Sequence, residues 1–178
     1  MLQKCSILKV AGVFFQEPTR EHGLLEISRK TSIAHTSVKN HLETLKKMKI
    51  ISEHPEKKGS RLYPMYKAEQ TNWAFRDYKK IYNLAELIKS GLIKYLKDKL
   101  NPRSIMLFGS YQRGEDLEDS DIDLFLETEK TSIDSLKFEK ILKRKIQLHF
   151  KENFKEYPAE LKNNIINGTI LEGYLEAF

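Results

Sequence analysis

The 178-residue sequence predicts an α+β chain: a basic helical module with a β-hairpin, a helical linker, and a small α/β module with a mixed sheet. Three observations predict this. Helix-spaced apolar residues fill the first fifty positions and give way to strand-like alternation near Ile51 and from Leu62 to Tyr66. Two short apolar runs, Ile105 to Phe108 and Ile122 to Phe125, read as buried strands. Charge is uneven: residues 1–70 carry 13 Lys and Arg against 7 Asp and Glu, whereas residues 71–178 carry 18 of each. The whole excess of +6 therefore lies in the first part, which predicts that this part faces a polyanion while the second holds acidic chemistry. The expected modules are 1–68, 69–100 and 101–178. A single cysteine, Cys5, excludes an internal disulfide and implies a reducing, cytoplasmic setting. Lys4, Lys9, Gln16 and Glu17 interrupt the first apolar residues, and no later run is long enough to span a membrane, so a soluble chain is expected.

In the first module, residues 3–15 carry Cys5, Leu8, Ala11 or Gly12, and Phe15 at helical spacing, ending before Pro18. Gly23 to Thr31 follows as a short helix with Leu24, Leu25 and Ile27 inward. After a turn at Thr31-Ser32, the stretch from Ala34 to Lys49 lines Val38, Leu42, Leu45 and Met48 along one stripe. The alternation after Ile51, with Lys57-Lys58-Gly59 between its halves, predicts a hairpin. This order, from about Ile7 to Tyr66, resembles a winged helix-turn-helix domain. The resemblance implies DNA contact through His35, Thr36, Ser37, Lys39, Asn40 and Glu43 on the third helix, and through Lys57, Lys58 and Arg61 on the wing. Winged helices also serve as protein-contact modules, and that alternative stays open.

Glu69 to Leu100 is long and apolar on one side, with Trp73, Tyr78, Ile81, Leu84, Leu87, Ile88, Leu92, Tyr95 and Leu96, and it ends at Asn101-Pro102. Its first part is expected to pack on the first module or to pair with its counterpart in a homodimer. Trp73, Phe75 and Tyr78 are expected in packing.

The chemistry is concentrated in Ile105 to Glu127. Gly109-Ser110 closes one apolar run, Gly114 interrupts a polar connection, and Asp121 and Asp123 open the next run. Two residues apart on a strand, both carboxylates point to one face while Ile122 and Leu124 point into the core. Side by side they repel unless a cation separates them, and a hard divalent ion with oxygen ligands is the usual solution. Gly109-Ser110 followed by Ser120-Asp121-Ile122-Asp123-Leu124 resembles the signature of the polymerase β-like nucleotidyltransferases, especially the small minimal type. The resemblance covers about the last hundred residues. It implies a nucleoside triphosphate whose phosphates lie on Gly109 and Ser110, and Mg2+ (or Mn2+) on Asp121 and Asp123. Arg113 either touches phosphate or caps Glu115 or Asp116 at the surface.

Ile133 to Leu142 reads as a helix and Lys145 to Phe150 as a third strand. Family members commonly place a third metal-binding acid on that strand. Here it offers only Gln147 and His149, which share a face; Glu152 lies beyond it. Gln147 cannot take a proton at neutral pH, whereas His149 could be a ligand, a base, or an ordinary strand-end histidine. The tail is expected to give a helix to Ile166, a stop at Gly168 and a closing segment from Thr169 to Leu175, an end that also resembles these small nucleotidyltransferases.

Three functions fit these features: a metal-dependent nucleotidyltransferase that carries a DNA-binding module; a transcription regulator whose nucleotidyltransferase domain only binds nucleotide; or a toxin-antitoxin-like component that modifies a partner protein. The acceptor, whether a small molecule, a protein hydroxyl or an RNA end, is not written in the sequence.

Overall fold

The computed structural model describes residues 5–154 and 158–176. Contacts divide the chain between Lys79 and Lys80 into two units.

In the first unit, α1 (Ser6–Gln16), β1 (His22–Gly23), α2 (Leu24–Thr31) and α3 (His35–Lys47) precede the hairpin of β2 (Ile51–Lys58) and β3 (Arg61–Ala68). Gln3 and Lys4, expected in the first helix, lie outside the described residues. The helix-spaced apolar positions form the core: Val10, Phe14, Phe15, Ile27, Val38, Leu42 and Leu45 are all buried. α2 stops at Ser32, whose left-handed φ of 56° breaks the helical path. Between β2 and β3, Lys58 pairs with Arg61 across a two-residue loop, and Gly59 supplies the positive φ of 64° that so tight a hairpin needs. The sheet order is β1-β3-β2. β1 was not foreseen: two residues are too few for a periodic signal, and only the pairing of His22 with Tyr66 and Gly23 with Met65 defines it.

Three expectations for apolar residues fail. Leu25, Trp73 and Tyr78 are exposed, the tryptophan at 75%. Each stands on a helix whose other face supplies the core, as with Ile27 beside Leu25 and Phe75 beside Trp73.

α4 (Trp73–Ser90) ends at Gly91, whose φ of 78° turns the chain into α5 (Leu92–Leu100). The second unit continues with β4 (Ser104–Phe108), α6 (Gly109–Arg113), β5 (Ile122–Glu127), α7 (Leu136–Leu142), β6 (Ile146–Lys151), α8 (Ala159–Ile166) and β7 (Thr169–Gly173). The strands form one sheet in the order β6-β5-β4-β7. β5 runs parallel to β6, and β4 is antiparallel to β5 and to β7, so the sheet is mixed.

Alternation along the strands makes two cores. Ile105, Leu107, Ile122, Leu124 and Leu126 join Leu87, Leu92, Leu96 and Phe138 on one face. Met106, Phe108 and Phe125 join Phe154 and Ile165 on the other. Asp121 and Asp123 are in phase with Phe125, which puts them at one end of this second face.

Candidate functional site

The site begins where β4 runs into α6. Gly109 has φ of 80°, and an added Cβ there would collide with a carboxylate oxygen of Asp123. Only glycine allows both the turn and that close approach. Phe108 pairs with Asp123 across β4 and β5, so the register that buries the apolar run also sets the acid beside the turn. The neighbouring hydroxyl, Ser110 Oγ, has no hydrogen-bond partner among the described residues and is half-buried.

On the other side, Asp123 pairs with Gln147 along the parallel strands. Gln147 donates its amide to Asp121, and His149 Nε2 lies 3.3 Å from Asp123 Oδ1. The ring of His149 also rests against Phe108, with centroids 5.1 Å apart. The four polar side chains expected to share a face are thus brought together, with Glu152 beyond the end of β6. Among the described residues no lysine or arginine pairs with Asp121 or Asp123. Two half-exposed carboxylates, one beside an amide and one beside an imidazole and neither paired with a lysine or arginine among the described residues, are oxygen donors of the kind a hard divalent cation takes. Arg113 is turned elsewhere: its Nε donates to Glu115 Oε2 at 2.8 Å on the surface.

The connection that carries the acids is anchored from below by residues the sequence reading missed. Asp116, placed among surface acids by its neighbours in EDLEDSD, is 1% exposed. Asn83 Nδ2 on α4 donates to Asp116 Oδ1 at 2.8 Å and to the Tyr111 carbonyl at 2.9 Å, and Arg144 Nη2 stands 3.6 Å from Asp116 Oδ2. Tyr111 returns its hydroxyl to the Asn83 carbonyl at 3.3 Å. Burial, and after it the charge of Asp116, push the Tyr111 phenol well above its usual range, so it stays a donor. One signal was available: Asn83 lies four residues before buried Leu87, a polar side chain on the apolar face of its helix.

In the first unit, His35, Thr36, Ser37, Lys39, Asn40 and Glu43 are exposed on α3, and Lys57 and Arg61 are exposed at the hairpin tip; the Lys58 side chain lies outside the described residues. Lys46, on the same helix, is engaged by Glu53 and by Glu43, the latter at 2.9 Å. Those carboxylates, Glu53 foremost, hold its ammonium well above the usual lysine range.

A second cluster of ligand-type groups, Glu17, His22 and Glu26, also lies in this unit. Here positive charge is already present: Lys30 Nζ is 2.7 Å from Glu17 and 3.1 Å from Glu26, and Arg20 is 2.6 Å from Glu17. Burial works to raise both carboxyls, but Lys30 and His22, with Arg20 at Glu17, outweigh it and hold them below the ordinary range.

Comparison with known proteins places the second unit. Residues 89–171 match the family model described as "Nucleotidyltransferase domain". A protein of Methanocaldococcus jannaschii named "Putative protein adenylyltransferase" is 43% identical over 68 residues, spanning 34% of this chain and 68% of that one. A solved structure titled "Possible transcriptional regulator from Methanosarcina mazei Go1" is 17% identical and covers 52% of this chain and 78% of its own, at a TM-score of 0.37. A likeness that distant carries no argument. No helix among the described residues is long and apolar enough to cross a membrane.

Proposed function

The chain belongs to the nucleotidyltransferase domain family, and from that premise we propose that it moves a nucleotidyl group from a nucleoside triphosphate to a protein hydroxyl, with a divalent cation held by Asp121 and Asp123. The observation that carries this reading is the pair of acids without a lysine or arginine partner among the described residues, set against a glycine whose positive φ and close approach to Asp123 exclude a side chain. The protein acceptor is taken from the name of the 43% identical relative.

When bound, Mg2+ or Mn2+ would neutralise triphosphate charge and ease the departure of pyrophosphate. The chain's own residues position the reactants. Gly109 lets the phosphates lie close to the backbone, and the free Ser110 hydroxyl donates to a phosphate oxygen. Arg113 is near enough in sequence to exchange Glu115 for phosphate, since its pair is exposed and weak. The acceptor oxygen forms a bond to the α-phosphorus as the bond from that phosphorus to the bridging oxygen breaks. Pyrophosphate leaves with the bonding pair, and the hydroxyl proton passes to water. Orientation and charge neutralisation supply the rate, with little covalent work by the protein.

One observation favours a second reading. The amide of Gln147 occupies Asp121, where a third carboxylate would strengthen the hold on a cation, and this fits a domain that binds nucleotide without turning it over. Incubating the full chain with each α-labelled triphosphate and Mg2+ or Mn2+ separates the two. Release of pyrophosphate with label in precipitated protein supports transfer. Metal-dependent binding without release supports the sensor, and no binding removes both.

For the first unit we propose a winged helix that holds DNA, through the exposed face of α3 and the hairpin tip. The excess positive charge of the first seventy residues supports this. A gel-shift affinity that did not change with salt would overturn it.

A further inference from the structure

The second unit carries unbalanced positive charge as well. From Leu136 to Lys145 the chain places Lys137, Lys140, Lys143, Arg144 and Lys145 against a single acid, Glu139. The fold sorts them. Phe138 is buried and Leu142 half-buried, so Leu136, Lys137, Lys140 and Ile141 share the outer side of α7. Arg144 turns inward to Asp116, whereas Lys143 and Lys145 on either side of it are exposed. The nearby acids serve the backbone: Asp134 Oδ1 accepts from Leu136 N at 2.9 Å, and Glu139 Oε1 accepts from Ile146 N at 3.1 Å. Lys137 Nζ lies over the rings of Tyr95 and Phe138, 4.6 and 4.7 Å from their centroids. The ammonium groups of Lys140, Lys143 and Lys145 have no partner among the described residues. Other lysines of this unit are paired, Lys89 with Glu86 and Lys97 with Glu172. The basic stretch also leads to the acid pair. The Lys145 carbonyl accepts from Ile122 N at 2.9 Å, and Lys145 is in phase with Gln147, whose amide engages Asp121.

We propose that Lys140, Lys143 and Lys145, with Leu136 and Ile141, form the docking surface for an acidic, partly apolar segment of the acceptor protein. This rests on the reading that the second unit moves a nucleotidyl group to a protein hydroxyl. Lysines without a counter-charge have no partner to give up when a carboxylate-rich segment arrives, so their attraction steers it and selects it over neutral chains. Leu136 and Ile141 are 63% and 59% exposed and give such a segment aliphatic surface to cover. A nucleic acid would have little use for them. Residues 136–147 also expose no aromatic ring on which a base could stack, since Phe138 is buried. A segment laid along α7 and past Lys145 arrives beside Asp121, which brings a hydroxyl at its end to the acid pair.

The test uses the full chain and fluorescent peptides of one length, each with a tyrosine and a serine: one rich in Glu and Leu, one with Gln for every Glu, and one with Lys for every Glu. Polyuridylate is the nucleic-acid probe. Anisotropy reads binding, and α-labelled triphosphates with Mg2+ read transfer to the peptide. The expected result is preferential binding of the acidic peptide, weakening as salt rises, with a lower KM for it than for the Gln peptide. In Lys140→Gln/Lys143→Gly the affinity for it falls about fivefold, the worth of two exposed ion pairs. Lys143 has a φ of 55°, a conformation that suits glycine, so this variant keeps its fold. Lys89→Gln/Lys97→Gln removes the same charge from paired lysines and should change the affinity by less than about twofold. Equal affinity for the three peptides, or equal losses in the two variants, overturns the proposal. So does a larger loss of polyuridylate than of acidic peptide in the first variant, which would give the face to nucleic acid. Label in any peptide in those cases leaves nucleotidyl transfer standing. Docking of the acidic peptide that needs Lys140 and Lys143, with no label and no pyrophosphate released, supports the surface and removes the transfer reading.

Discussion

Glu17 and Glu26 in the first unit and Asp121 and Asp123 in the second are both pairs of carboxylates, but they keep different company. The glutamates face Lys30 and Arg20, so their charge is balanced from within. The aspartates face an amide and an imidazole, with no lysine or arginine paired to them among the described residues. A chain that can place Lys30 and Arg20 on one pair gains nothing in stability by withholding such cations from the other. The imbalance makes sense if the missing charge arrives with a ligand. Acidic composition is thus a poor guide to a site, and unbalanced acidity a better one.

The largest effect that would break this contrast comes from removing one charge from each pair. Asp123→Asn should lower label transfer from an α-labelled triphosphate by a hundred- to a thousandfold, as losing a group that supports the transition-state charge does. Glu26→Gln should leave transfer within about twofold, since surface changes away from a site rarely exceed ~0.5 kcal/mol. Equal losses in the two variants would mean that the acids differ in nothing that matters to chemistry.

Next in size is a matter of stability. Asp116→Ala removes the buried carboxylate that faces Arg144 and leaves Asn83 short of an acceptor, so urea unfolding should show a loss of about 3–5 kcal/mol. Arg113→Ala, three residues earlier and on the surface, should move the midpoint by less than ~0.5 kcal/mol. An Asp116 variant as stable as the Arg113 variant would show the connection to be held by something else.

These two residues also show where reading the sequence stops. The phase of Asp121, Ile122, Asp123 and Leu124 gave the common face of the acids, because a strand's period of two has no alternative once Ile122 and Leu124 are buried. The phase of Gln147 and His149 followed for the same reason. Nothing comparable distinguishes Asp116 from Glu115, Glu118 or Asp119, since an irregular connection has no period. Its burial depends on Asn83 and Arg144, more than twenty-five residues away in either direction. The apolar helix residues divide likewise. Val38, Leu42 and Leu45 were legible from spacing, while Trp73 and Tyr78 share α4 with Phe75, which packs on Phe15 of α1, but turn outward.

A smaller effect sharpens the aspartate side. Gln147→Glu adds a carboxylate beside two that lack a cation, and Mg2+ affinity should rise roughly tenfold, since affinity at oxygen sites follows ligand charge. Calorimetry with Mg2+ and a non-hydrolysable triphosphate would measure it. Unchanged affinity would indicate that Gln147 does not compete for Asp121.

The smallest effect returns to balanced and unbalanced charge, now among lysines. Lys39 is exposed on α3, whereas Lys46 is bound by Glu53 and Glu43 and its ammonium is stabilised by them. A phosphate must displace those carboxylates before Lys46 can serve it, and each displaced pair costs up to ~1 kcal/mol, much of what the new contact would return. Lys39→Ala should therefore weaken DNA binding a few-fold at any sequence and reduce the salt slope by about 0.9, one counterion's worth. Lys46→Ala should leave the slope nearly where it was. If the two variants shift it equally, the glutamates do not hold Lys46 away from the polyanion, and charge balance read from hydrogen bonds does not predict which lysines meet phosphate.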